Sequence, residues 1–329
     1  MGAGMLSSTA DKLFWMARYT ERADNLARML DVNHRMSLFP QGPQGLTQGW
    51  NALLAISDLL GEFKTRYAEM TAENALAFFA FDHSNPSSII SCWRAVRENA
   101  RAVRGTLTAE AWETVNSTWL ELRSMDANKA TLDASQFFDW VKYRSHLMLG
   151  VLRSTMLRDE AYHFAWLGTY LERADNTARI LDVKYHTLLP RGENVGGAAD
   201  YYQWSALLHS VAAFEIYRKV YRDVITPRRV AELLILRDDM PRSLNHCMTQ
   251  AYLHLQAVRN EQSAETERRT GELQASIHFG RIEDVFDAGL HEYLMRFLDR
   301  VHDLGARISH DFLAVSVTSS HQYQLNLAR

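Results

Sequence analysis

The sequence predicts an all-α fold, a helical bundle built from two tandem copies related by a pseudo-twofold axis. Three observations predict it. Apolar residues recur at helical spacing through most long segments, and Val, Ile and Thr never alternate with polar residues in a sustained run. Only six prolines interrupt the 329 residues, so long helices are allowed. The third observation is a repeat. Trp15 to Val32 reads WMARYTERADNLARMLDV and Trp166 to Val183 reads WLGTYLERADNTARILDV, with 12 of 18 positions identical at an offset of 151. Further matches follow in the same order. Trp50-Asn51-Ala52-Leu53-Leu54 meets Trp204-Ser205-Ala206-Leu207-Leu208, Asn85-Pro86-Ser87-Ser88-Ile89 meets Met240-Pro241-Arg242-Ser243-Leu244, and Cys92 meets Cys247. A period of about 150 residues is far longer than a solenoid unit. The expected organisation is a first repeat over 5–157, a second over 158–315 packed on it as one globular unit, and a loose tail over 316–329.

The elements follow in order. The first helix is expected from about Thr9 to Leu38, capped by Ser7 or Ser8 and ended by the Pro- and Gly-bearing loop Phe39 to Gln48. A helix carrying the Trp50 block and a shorter apolar segment come next. Pro86 suits a first helical position, where its missing N–H would have no partner, so a helix is expected to start there with Asn85 as cap. Helices around Ala109 to Leu122 and Gln136 to Met156, joined by the polar stretch Arg123 to Ser135, close the first copy. The second copy opens near Arg158 and stops at Leu189-Pro190, before Arg191 to Asp200 with its three glycines. The Trp204 helix follows, then one starting at Pro241 with Asp238 or Asp239 nearby, then Gly271 to Phe312. Ser316 to Arg329 lacks helical patterning.

Composition excludes several functions. Net charge is −3, with 36 basic and 39 acidic residues mixed along the chain and no basic block, so nucleic-acid binding is not expected. The longest apolar runs, such as Ala75 to Phe81, are too short to span a membrane. Met1 to Leu6 has neither the apolar core nor the basic flank of a signal peptide, and Met5 reads as the natural start. The expected location is therefore cytoplasmic. Two cysteines make no disulfide framework, and their equivalent positions suggest small buried packing residues.

The chain contains no His-Glu-x-x-His, Gly-x-Ser-x-Gly, phosphate loop or Cys-x-x-Cys, and its 13 histidines are scattered. No metal or cofactor is expected. Glu160-Ala161-Tyr162-His163 is the single Glu-x-x-His, a spacing that di-iron bundles use twice, and its first-copy counterparts are Thr9 and Lys12. His163 is accordingly read as a packing or capping residue. In Arg97-Glu98-Asn99-Ala100-Arg101, Glu98 and Arg101 read as a solvated i, i+3 pair.

The repeated helix carries the unusual chemistry. At 100° per residue, Trp15, Tyr19, Leu26, Met29 and Leu30 form one apolar stripe, and Arg22 falls inside it. Arg173 falls likewise among Trp166, Tyr170 and Ile180. Glu21, Asn25 and Arg28 form a neighbouring stripe that Glu172, Asn176 and Arg179 repeat, while Asp24 and Asp31, with Asp175 and Asp182, point to a third side. A buried guanidinium needs a partner. One reading has Glu21 meet Arg173 and Glu172 meet Arg22 in reciprocal fork-shaped pairs that staple the copies together. The other has the same groups line a cleft that binds a charged ligand or peptide. The candidate residues are Glu21, Arg22, Asp24, Asn25 and Arg28 facing Glu172, Arg173, Asp175, Asn176 and Arg179.

The doubled Glu-Arg-Ala-Asp segment, Glu21 to Asp24 and Glu172 to Asp175, resembles the alpha-E family of bacterial helical proteins, named for a conserved Glu-Arg motif. Leu13 to Val32 is similar to the family's opening, and Ser84 to Arg101 resembles its Asn-Pro-Ser-Ser-Ile and Arg-Glu-Asn-Ala-Arg stretch. Thr155 to Glu160, leading into Leu171-Glu172-Arg173, resembles its second motif. His163 departs from the pattern, where a basic residue is expected. The resemblance implies partners: a circularly permuted ATP-grasp protein and a transglutaminase-like cysteine protease. It implies a non-catalytic accessory or scaffold protein of an ATP-grasp amide (peptide) ligase system, binding the ligase or its peptide-like substrate. The alternative is a ligand-binding protein or enzyme using the paired Glu-Arg cluster in a cleft between the repeats.

Overall fold

The computed structural model describes residues 5–37, 43–188 and 198–313, and every regular element among them is helical. The chain opens with α1 (Ser7–Ser37), α2 (Pro43–Ile56), α3 (Leu60–Arg66) and α4 (Ala72–Leu76), which runs on into a π-helical turn at Ala77–Phe81. Next come α5 (Ile89–Ala102), α6 (Ala109–Ala127), a 3-10 turn at Lys129–Thr131, α7 (Ala134–Thr155) and α8 (Glu160–Leu188). The remainder is α9 (Ala198–Ser210), α10 (Phe214–Tyr221), α11 (Pro227–Ile235), α12 (Leu244–Ala257), α13 (Ala264–His278), α14 (Ile282–Asp287) and α15 (Leu290–Phe312). No helix among the described residues is long and apolar enough to cross a membrane.

Several helix starts differ from expectation, for one physical reason. Pro86 and Pro241 lie in turns, and α5 and α12 begin three residues later because Ser88 and Ser243 are the caps. Their hydroxyls accept the backbone N–H of Ser91 and His246, satisfying donors that the first helical turn leaves free. Asn85 serves the turn instead: its Oδ1 accepts the Ser87 N–H at 2.9 Å and its Nδ2 donates to the Phe78 carbonyl at 3.1 Å. Thr108 and Asp133 cap α6 and α7 in the same way, which narrows the expected polar stretch after Leu122 to a few residues. α2 begins at Pro43, inside the expected loop. The chain's end holds three helices from Ala264 rather than one region from Gly271. Leu189-Pro190 and the tail over 316–329 lie outside the described residues.

α1 and α8 pack against each other along the middle of the bundle. α5 and α7 cover further sides of α1, and α12 and α15 do the same for α8. This makes α1 buried nearly all round: Leu13, Phe14 and Trp15 are inside, but so are Asp11, Glu21, Asp24, Asn25 and Asp31. The single apolar stripe read from the sequence therefore corrects to a helix with contacts on several faces.

Gly168 sets how close the two central helices come. A Cβ there would stand 2.4 Å from the carbonyl oxygen of Phe14 on α1, a backbone atom with no rotamer to yield. Gly168→Ala is expected to push α1 and α8 apart and cost about 1–3 kcal/mol, the range for overpacking a close-packed contact. Urea denaturation of the variant measures it. An unchanged midpoint would mean that the helices have slack.

Candidate functional site

The four central charges meet where α1 crosses α8. Arg173 grips Glu21 with both prongs, Nε to Oε1 at 2.9 Å and Nη2 to Oε2 at 2.7 Å. Arg22 does the same to Glu172, Nε to Oε1 at 2.5 Å and Nη2 to Oε2 at 3.1 Å. Each carboxylate holds a second cation. Arg242, in the turn before α12, donates Nη1 to Glu21 Oε1 at 2.9 Å, whereas Arg18, one turn earlier on α1, donates Nε to Glu172 Oε2 at 2.7 Å. Glu21 is 0% exposed and Glu172 5%.

Two further groups flank the crossing. On one side, Arg28 Nε donates to Asp24 Oδ2 at 2.9 Å and Arg28 Nη2 reaches His146 Nε2 of α7 at 2.8 Å. On the other, Arg179 Nε donates to Asp175 Oδ2 at 2.8 Å, and His302 Nε2 of α15 stands 2.9 Å from Asp175 Oδ1 and 3.0 Å from Arg179 Nη2. Arg28 and Arg179 therefore serve an aspartate on their own helix rather than facing each other. Asp31 takes Arg35 at 2.7 Å and Lys142 at 2.8 Å, and Asp182 takes His291 at 2.7 Å.

Burial and charge oppose each other at these carboxylates. Burial alone would raise each pKa. The guanidiniums override it, Arg173 and Arg242 at Glu21, Arg242 and Arg28 at Asp24, and Arg22 and Arg18 at Glu172, holding all three below the ordinary range. At Asp175, Arg179 and His302 do the same. All four are ionised at neutral pH, so none has a proton to give as a general acid. Cys92 and Cys247 are buried free thiols that burial pushes up to about 12, which makes them inert packing residues rather than nucleophiles. The cluster is built to hold charge.

The two ends of the network differ in access. At the α1 end, Arg242 reaches in over Glu21, Asp24 and Asn25 and is itself 8% exposed. At the α8 end lies a cavity of about 130 Å³, lined by Arg18, Arg22, Asn25, Glu172, Asp175, Asn176, Arg179 and His302, with Ser87 at its wall. The sequence-predicted residues thus divide. Glu21, Arg173, Asp24 and Arg28 are tied into the interior, whereas Arg22, Asn25, Glu172, Asp175, Asn176 and Arg179 border the cavity.

Four participants escaped the sequence reading. In the repeat read from the sequence, Arg242 aligns with Ser87 and Arg18 with Thr169, so neither residue recurs at the matching position. His146 on α7 and His302 on α15 make comparable contacts, with Arg28 and with Arg179 respectively, but they stand at different separations along the chain from those arginines, so no common spacing marked them in the sequence. Elsewhere, Glu160 accepts the Met5 backbone N–H at 2.7 Å, and His163 Nδ1 faces His254 Nδ1 at 2.9 Å. Burial, with His163 beside it, draws His254 down to about 4. Glu98 pairs with Arg97 at 3.1 Å, not with Arg101. Among the described residues no group of three or more His, Cys, Asp and Glu could hold a metal ion.

A helical protein whose two repeated Glu-Arg pairs interlock at its centre defines a class by that motif. The chain belongs to the Alpha-E family, described as a predicted alpha-helical domain with a conserved ER motif, which matches residues 5–313. It is also similar to an uncharacterised protein of Mycobacterium bovis and to one of Mycobacterium tuberculosis. Each is 24% identical over 319 residues, covering 88% of this chain and 34% of the relative. The chain thus spans about a third of the length of the curated relatives it matches. No solved structure matches it.

Proposed function

We propose that this protein is a non-catalytic accessory subunit of an ATP-grasp amide-ligase system, located in the cytoplasm, that holds a peptide-like ligand at the open end of its central ion network. The observation that carries the reading is the unequal closure of that network: Arg242 covers the Glu21 end, whereas a cavity meets the Glu172 end. Carboxylates held ionised and thiols held protonated suit a site that grips a ligand rather than transforms it. The longer mycobacterial relatives support an accessory role, since the matching region there is one part of a larger chain. The partner class, a circularly permuted ATP-grasp protein with a transglutaminase-like protease, comes from the family resemblance.

We infer the two-copy architecture as well, with repeats over 5–157 and 158–315. The reciprocal Glu21–Arg173 and Arg22–Glu172 forks support it, because an axis between α1 and α8 relates each pair to the other. The functional test is co-purification of the full chain with its ATP-grasp partner, with and without ATP. Specific capture is the expected result. No association at micromolar concentrations, with both proteins folded, overturns the accessory assignment.

A further inference from the structure

We infer that the cavity at the Glu172 end is a guanidinium site, taking an arginine-like group of a ligand in the way that the chain's own Arg242 occupies the Glu21 end. This rests on reading that cavity as a ligand site, and it names the ligand's chemistry.

At the Glu21 end, Arg242 makes three donations: Nη1 to Glu21 Oε1 at 2.9 Å, Nη1 to Asn25 Oδ1 at 2.7 Å, and Nη2 to Asp24 Oδ2 at 2.5 Å. Two of these acceptors also serve a second arginine, Glu21 Oε1 taking Arg173 Nε and Asp24 Oδ2 taking Arg28 Nε. At the Glu172 end the second set is repeated: Glu172 Oε1 takes Arg22 Nε at 2.5 Å and Asp175 Oδ2 takes Arg179 Nε at 2.8 Å. The first set has no counterpart, because the residue aligned with Arg242 is Ser87, whose side chain is too short to reach. Glu172 Oε1, Asp175 Oδ2 and the Asn176 amide thus form the same three-acceptor cradle, and all three residues line the cavity with Ser87. A carbonyl or carboxylate oxygen has lone pairs for more than one donor, as the Glu21 end demonstrates.

Arg18 does not fill this cradle. It donates to Glu172 Oε2, the oxygen facing the other way in the fork. A second observation adds to the ligand's description. Asn25 is 2% exposed, and Arg242 donating to its Oδ1 fixes the amide's orientation, leaving Nδ2 as a buried donor at the cavity without a protein partner. A ligand that offers an acceptor beside its guanidinium, as the backbone of an arginine residue does, meets both needs.

The rival is anion binding, since Arg18, Arg22 and Arg179 outnumber Glu172 and Asp175 at the cavity wall. Titration of the full chain by calorimetry and thermal shift, with methylguanidinium, L-arginine, urea and inorganic phosphate as probes, separates the two. Saturable binding of methylguanidinium and L-arginine with a raised melting temperature, and none by urea or phosphate, is the expected result. Ser87→Arg supplies the group within the chain, so it is expected to abolish arginine binding and raise the melting temperature. Asn176→Ala removes a half-buried amide that the fold does not use, and is expected to weaken arginine binding by roughly tenfold or more. Phosphate binding without guanidinium binding, no saturable guanidinium binding, or binding unaltered in a folded Ser87→Arg or Asn176→Ala variant overturns the assignment. Loss of the ATP-grasp interaction alone would strike at the accessory role and leave the guanidinium site standing.

Discussion

Glu21→Ala is expected to destabilise the protein by about 3–5 kcal/mol, the cost of stripping one partner from a buried ion network. Glu21 is fully buried and accepts from two guanidiniums, Arg173 on α8 and Arg242 in the turn before α12. Without the carboxylate, both guanidiniums remain inside with a shortened list of acceptors. Arg242 keeps Asp24 and Asn25, but the fork of Arg173 loses both of its bonds to Glu21. Urea denaturation gives the number, and the Glu21→Ala, Arg173→Ala double-mutant cycle gives the coupling between the two. The double variant is expected to be less damaged than the two singles added together. A single-mutant loss below about 1 kcal/mol, the size of an exposed pair, would sink the idea that this network fastens α1 to α8.

Acid is expected to unfold the protein in two stages. Glu21, Asp24, Glu172 and Asp175 have folded pKa values below those of free carboxyls. Such a group contributes fully above its unfolded pKa, about 4, and its contribution is lost as pH falls through the lower folded value, because the unfolded chain binds the extra proton. Two histidines act earlier. His254 falls to about 4 in the folded protein, so its contribution erodes between the ordinary histidine value of about 6.5 and that lower one. His146 shifts in the same direction, with burial as the largest cause. The urea midpoint should therefore decline gently from about pH 6.5 and steeply below about pH 4. Glu21→Gln should lessen the steep part and leave the gentle part alone. A midpoint independent of pH from 7 down to about 3 would contradict the ion-pair account.

How much of this was legible in advance differs from residue to residue. Helical class followed from spacing alone, because a 3.6-residue period in apolar positions has one backbone solution. The Glu21–Arg173 and Arg22–Glu172 pairing could be anticipated from the repeat, since a guanidinium inside an apolar stripe requires a carboxylate and the other copy offered one. The burial of Asp24 and Asp31 could not be anticipated, because they lie off the apolar stripe and are covered by α7 and the turn before α12, elements distant in sequence. Helix starts at Ser88 and Ser243 were missed because proline and serine both suit a first turn, and only the hydroxyl contact decides between them.

What the sequence determined by itself is the helical class, the doubled Glu-Arg segment and the family to which it belongs. All of these are local or repeated patterns, carried by residue types at fixed spacing. The tertiary structure decided which end of the ion network is closed. That depends on one long side chain, Arg242, meeting Glu21, Asp24 and Asn25 from more than 200 residues away, while Ser87 at the matching turn leaves a cavity. Spacing along a chain specifies a face of a helix. It does not specify which distant loop will cover that face, because that is set by packing among many elements at once.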